Sequence, residues 1–158
     1  MRLLFQAWYR WVDSELNRVP LLPDRDDLSS GEWNAFVGAT GERLAGKQLW
    51  RTGRKVLYRN FKPEGGGEVD IVYRDGDILV FGEVKTRTRG EFGEPARAVD
   101  RAKQKLIIRG ANAWLRELNF PEVLFRFDVI EVLLLPGVLP QIRINEGAFT
   151  TPQTGLGM

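Results

Sequence analysis

Histidine and cysteine are both missing from the 158 residues. Without cysteine there is no disulfide framework and no thiolate zinc site. Without histidine there is no Ser-His-Asp triad, no HExxH zinc site and no hydrolase built on an imidazole base. Long apolar runs are absent too: no stretch approaches the roughly 20 residues that cross a bilayer. The N-terminus lacks the small-residue cleavage site of a signal peptide, and Arg10 and Asp13 interrupt it. A cytoplasmic location without membrane association is therefore expected. Chemistry is left to carboxylates, lysine, arginine, tyrosine, backbone groups and a hard metal ion.

The length suits one domain with one core, and the apolar and charged shares, 43% and 28%, are those of an ordinary globular chain. The formal net charge of +2 conceals an uneven distribution. Arg43, Lys47, Arg51, Arg54, Lys55, Arg59 and Lys62 form a block with no acidic residue among them. Such a one-signed block suggests a polyanionic partner; a solvated face is the plainer alternative.

Leu4, Trp8, Val12 and Leu16 recur every four residues, with Ala7 and Trp11 beside them, so residues 1–19 read as an amphipathic helix. Pro20 and Pro23 stop it, and residues 1–30 form an accessory helix and linker. Its polar face is not strongly basic, which favours packing on the domain or on a second copy, a homodimer, over membrane docking. The domain proper is expected over 31–146, with a disordered tail at 147–158. A helix is predicted over 31–52, strands at "KVLYRNF", "GEVDIVYR" and "DILVFGEVK", a helix over 96–118, then a strand at "VLFRFDVIEVLLL". The last strand, reached through a crossover helix, should lie parallel to the one before it. "QIRIN" is a candidate edge strand.

Asp75-Gly76 is a hairpin signal. With those two residues as the loop, Asp70 falls opposite Phe81 and Glu68 opposite Glu83. Alternation then puts Glu68, Asp70, Phe81, Glu83 and Lys85 on one face. Asp70 and Glu83 become diagonal neighbours, with Cβ atoms about 7–8 Å apart at most. Two carboxylates so close repel, and a Mg²⁺ (or Mn²⁺) held by both would compensate. Lys85, on the same face, would hold an attacking water or neutralise phosphate charge. On the first helix Glu42 aligns with Ala39, Ala45 and Leu49, so it faces inward, toward this site or into a core ion pair.

On the later helix Arg101, Lys105, Arg109 and Arg116 form a basic stripe, and Val99, Ala102, Leu106, Gly110 and Ala113 a packing stripe. Lys103 falls within the packing arc, where an ammonium needs an anion or a snorkelling path. Arg87 and Arg89, just beyond the hairpin, suit phosphate contacts. Arg126 and Asp128 share a strand face and suit a structural ion pair.

Asp70 followed by Glu83-Val84-Lys85 resembles the PD-(D/E)xK nuclease signature. The pieces "GERLA", "RN", "GEVDIV", "VFGEVKTR" and "RFDVIEV" occur in the order seen in the bacterial YraN family, which residues 38–133 resemble. The resemblance implies a restriction-endonuclease-like α/β fold, a mixed sheet flanked by helices, related to archaeal Holliday junction resolvases. It maps Glu42 onto the first-helix glutamate, Asp70 onto the metal-binding aspartate, and Glu83 and Lys85 onto the E-x-K pair. Val69 stands where the signature carries proline.

Together these readings predict a Mg²⁺-dependent endonuclease acting on DNA, with branched DNA one option. Glu42, Asp70, Glu83 and Lys85 are the catalytic set, and Asp70 and Glu83 the metal ligands. Arg43, Lys47, Arg54, Lys55, Arg59, Arg87, Arg89, Arg101, Lys103, Lys105 and Arg109 are the nucleic-acid contacts. Two rivals remain: a binding protein that uses the same basic surface without cleavage, and a scaffold that self-associates through residues 1–19.

Overall fold

The computed structural model describes residues 14–94 and 98–151. The first long helix, α1 (Ser30–Arg51), starts at a capping box. The Ser29 hydroxyl accepts from the Glu32 amide, and the Glu32 carboxylate takes the Ser29 amide at 2.9 Å. Strands β1 (Lys55–Phe61), β2 (Val69–Asp75) and β3 (Ile78–Arg87) follow, then α2 (Arg101–Glu117), β4 (Phe125–Leu133) and β5 (Gln141–Phe149). The five strands form one sheet in the order β1-β2-β3-β4-β5. Among the described residues only β3 and β4 pair in parallel, as the α2 crossover requires. This mixed sheet flanked by helices is the expected restriction-endonuclease-like α/β architecture.

Among the described residues, each face of the sheet carries one long helix. Leu44, Ala45 and Leu49 of α1 pack on Ile71, Tyr73, Val80 and Ile130. Ile107, Ala111 and Leu115 of α2 pack on Val72, Phe81, Phe127 and Val129. Strand β4, between β3 and β5, is covered on both sides, so Phe127–Leu134 is buried without a break. Leu16 joins the α1-side core, and Glu15 meets Lys47 at 2.8 Å, so residues 14–16 pack on the domain. Leu4, Ala7, Trp8, Trp11 and Val12 lie outside the described residues. Among the described residues no helix is long and apolar enough to cross a membrane.

Four expectations need correcting. The hairpin loop is Gly76-Asp77, with Asp75 paired to Ile78. Gly76 takes φ +59, which glycine tolerates at the first loop position, while Asp75 is held in the strand by Arg126 at 2.6 Å. Helix α2 begins at Arg101, because the Asp100 side chain caps the Lys103 amide at 2.8 Å; residues 95–97 lie outside the described residues. The buried arc of α2 is Ile107, Gly110, Ala111 and Leu115, with Ala102 and Leu106 exposed. The tail is ordered through Phe149, which extends β5 and stacks on Phe127 with ring centroids 4.9 Å apart.

The turned arc of α2 has a local cause. Gly110 lies against the chain at Glu68–Val69, and Gly67 lies against Gly110. The Glu68 amide donates to the Leu106 carbonyl at 3.1 Å, tying loop to helix. A Cβ on Gly67 would sit 2.4 Å from the Gly110 nitrogen, and its φ of +100 disfavours any side chain. Backbone atoms cannot swing aside. Gly67→Ala is therefore expected to lower stability by about 2–4 kcal/mol through strain and overpacking together. Urea unfolding checks this; a loss under half a kcal/mol would mean that the loop lifts off the helix freely.

Candidate metal and nucleic-acid site

The β2–β3 ladder ends at Ile71 paired with Gly82. One step further, Asp70 stands opposite Glu83. There a side chain replaces the ladder: Asp70 Oδ2 accepts from the Val84 amide at 2.9 Å. The two carboxylates face each other directly, closer than the diagonal relation expected from the sequence. The slip in register was two residues, and strand alternation repeats every two, so the shared face survived it.

Glu83 is 6% exposed, and its Oε2 is buried with no hydrogen-bond partner among the described residues. Burial, reinforced by the Asp70 charge, pushes its carboxyl up to about 8. Lys103 reaches over from α2, with Nζ 3.3 Å from Glu83 and in contact with Glu68. Desolvation alone would lower the Lys103 ammonium; the hydrogen bond to Glu68 and the charges of Glu83 and Asp70 hold it above its ordinary value. The same bond holds the Glu68 carboxyl below the usual range. Lys62 flanks Glu68 at 3.7 Å. The cluster is thus three acids around one ammonium.

A group that keeps a proton in the folded state up to about pH 8, but loses it near its ordinary value of 4.5 when unfolded, favours folding at low pH. Between these values the folded state binds more protons, so stability falls as pH rises. Without divalent ions, the wild-type melting temperature should drop between about pH 5 and 8 more steeply than that of Glu83→Gln. Parallel melting curves for the two proteins would refute the burial of a neutral Glu83.

Lys85 is exposed on the Glu83 face, with Glu131 of β4 as its register partner. Glu42 is half-buried on α1. Neighbouring Gly41 lies so close to Thr86 of β3 that a Cβ would meet its hydroxyl at 1.8 Å. The Glu42 carbonyl accepts from Arg59 at 3.2 Å. Glu42 therefore belongs to the α1 layer, whereas Glu83 meets α2. Among the described residues no three ligating side chains gather tightly enough to hold a metal ion on their own. The donor set is the Asp70–Glu83 pair, which suits a magnesium ion that keeps waters and takes phosphate oxygen. The orphaned Glu83 Oε2 is the atom that a cation would satisfy.

The expected basic block does not form one surface, because acids distant in sequence neutralise part of it. Lys47 is buried on Glu15, and Arg43 lies 3.7 Å from the same carboxylate. Arg54 is tied to Glu146 at 2.6 Å and to Asp75 at 3.4 Å. These contacts withdraw Lys47 and Arg54 from an open phosphate-binding face. Lys55, Arg59, Arg89, Arg101, Lys105 and Arg109 are exposed, and Arg87 is half-buried, 3.9 Å from Glu131.

Two polar clusters were not legible as such in the sequence. Fully buried Glu131 accepts from Arg143 Nε at 2.9 Å and from Asn145 at 2.8 Å. Arg143 also donates to the Gly93 carbonyl at 2.5 Å and covers the Phe92 ring at 4.7 Å. This clamps the segment that follows β3 onto β5. The only signal was a carboxylate alternating with Val129 and Leu133. The second cluster centres on Asp128, bonded to Arg126 at 2.8 Å, to the Gly147 amide at 3.0 Å and to the Tyr73 hydroxyl. The expected Arg126–Asp128 pair is part of it.

The model of the uncharacterised protein family UPF0102 matches residues 41–132, which include Glu42, the Asp70–Glu83 pair, Lys85 and Lys103. A UPF0102 protein of Geobacter metallireducens is 45% identical over 116 residues, 73% of this chain and 93% of its own length. One from Chlorobaculum parvum is 47% identical over 111 residues, 70% and 84% of the two chains. One from Rhodococcus opacus is 41% identical over 116 residues, 73% and 98%.

Proposed function

Because the chain belongs to the uncharacterised protein family UPF0102, whose name assigns no activity, its chemistry has to be argued from the site, and we propose a Mg²⁺-dependent hydrolase of nucleic-acid phosphodiesters, acting on DNA. The observation that carries this reading is the Asp70–Glu83 pair: two opposed carboxylates at the end of a strand ladder, one of them buried with an oxygen, Oε2, that no described residue satisfies. A divalent cation bound there would act as Lewis acid and water activator. Asp70 and Glu83 would hold it. Lys85 would neutralise phosphate charge from the exposed side of the same face. The reaction adds water across the phosphodiester: the water oxygen bonds to phosphorus, the bond to one sugar oxygen breaks, and that oxygen takes a proton. Charge builds on the phosphoryl oxygens meanwhile, so cations fixed beside them contribute most in the transition state. None of this requires the histidine or cysteine that the chain lacks.

One observation favours a second reading, a nucleic-acid-binding protein without cleavage. Lys103 already places an ammonium among the acids, and a cluster neutralised from within can be purely structural. Plasmid nicking with and without Mg²⁺ separates the two. In the hydrolase, Lys103→Met should cut Mg²⁺-dependent nicking by more than it weakens DNA binding, because its charge acts where negative charge develops. Equal losses would make Lys103 an ordinary phosphate contact. An absence of Mg²⁺-dependent nicking by the wild type would leave the binding reading.

A further inference from the structure

Across the 62–68 loop from the acid cluster, an open groove of about 450 Å³ runs along α2. Gly65 and Gly66 form one side. Lys105, Arg109 and Arg116 line it with Asn112, and among the described residues no carboxylate lines it. Ile108 and Ala113 add an apolar surface between the cations. The groove continues past Gly65, Ala113 and Arg116 into a second depression of about 570 Å³, which holds Lys62 and the half-exposed ring of Tyr58. Glu64 and Glu117 enter only at that end.

We propose that this groove takes a single-stranded nucleic-acid arm, with its phosphates along Lys105, Arg109 and Arg116 and an unstacked base against Ile108 and Ala113. The inference rests on the nucleic-acid reading above and specifies its substrate. Double-stranded DNA presents phosphates but keeps its base faces inside the stack, so it would leave the apolar surface unused. A single strand offers phosphates and base faces together, the pairing that cationic grooves with apolar platforms recognise. The cations form a row: four and seven residues apart, they rise by about 6 and 10 Å along the helix axis. Tyr58, beyond Arg116, offers a further ring for stacking.

Position joins the groove to the proposed chemistry. Its wall is the loop whose far end is Glu68. From there, contacts run through Lys103 to Glu83. Gly67, seated on the backbone of Gly110, fixes that loop against α2, and Gly66 lies beside the Arg109 guanidinium. An arm in the groove would therefore meet the acid pair one loop away, where a duplex ends and a strand departs.

The test compares two fluorescein-labelled DNAs that share one duplex, one blunt and one with an unpaired arm, by anisotropy in EDTA so that no cleavage intervenes. The wild type should bind the forked DNA at least about tenfold more tightly than the blunt one. Ile108→Ser, which removes the apolar platform without adding charge, should erase that preference while leaving blunt-duplex affinity within about twofold of wild type. Ile108 is partly buried, so the exposed double variant Lys105→Ala/Arg116→Ala serves beside it and should also erase most of the preference. Equal wild-type affinity for the two DNAs, or a fork preference that survives the double variant, overturns the proposal while leaving the nucleic-acid reading standing. Failure to bind either DNA, both in EDTA and with Ca²⁺ in place of Mg²⁺, overturns both.

Discussion

Asp70→Asn should lower Mg²⁺-dependent nicking by roughly 10²–10³-fold, the scale of losing one fixed electrostatic contact to a transition state. The substitution is close to isosteric. Asparagine keeps an oxygen that can accept from the Val84 amide, so the end of the β2–β3 ladder should hold. What goes is the charge that, with Glu83, would bind the cation. In EDTA the same variant should melt at a higher temperature than wild type, because the repulsion that helps push the Glu83 carboxyl up is gone. Lower activity together with a higher melting point separates a functional carboxylate from a structural one. Asp77→Asn, at an exposed hairpin position, is the control and should change neither quantity. Wild-type nicking by Asp70→Asn would remove Asp70 from the proposed site.

The largest effect on stability is expected at Arg126. Its guanidinium bonds Asp128 at 2.8 and 3.1 Å and Asp75 at 2.6 Å, and lies 3.5 Å from Glu146. Asp128 has no solvent exposure. Among the described residues, Arg126→Ala leaves that carboxylate with the Tyr73 hydroxyl and the Gly147 amide alone, and an uncompensated buried charge costs about 3–5 kcal/mol. That is a large part of an ordinary domain's stability, and it should lower the melting temperature by about 10 °C. Arg101→Ala, on the exposed stripe of α2, should stay within about 0.5 kcal/mol of wild type. Urea unfolding of both variants decides the matter. Similar losses for the two would mean that the Asp128 cluster is solvated in solution.

Arg126 also shows why the hairpin was misplaced. Read locally, Asp75-Gly76 is the stronger turn signal. In the fold the Asp75 carboxylate bonds Arg126, 51 residues away, which keeps Asp75 in the strand and moves the loop to Gly76-Asp77. The error did not reach the site, because a slip of two residues returns every side chain to its own face.

The sequence by itself determined the chemistry that could be excluded, the order of strands and helices, the parallel β3–β4 pair, and the shared face of Asp70, Glu83 and Lys85. These follow from composition, from periods of two and 3.6 residues, which act over short stretches of chain, and from the way a crossover helix returns the chain to the sheet. Tertiary structure decided which charges remain available. Glu15, Asp75 and Glu146 neutralise Lys47 and Arg54, members of a block that looked uniformly basic. Lys103 finds Glu68 because Gly67 and Gly110 let loop and helix touch backbone to backbone. Glu83 holds its proton up to about pH 8 because α2 and Asp70 enclose it. The physical reason is common to all three. A charge's worth depends on its distance from other charges and from water, and both distances are set only when remote segments pack.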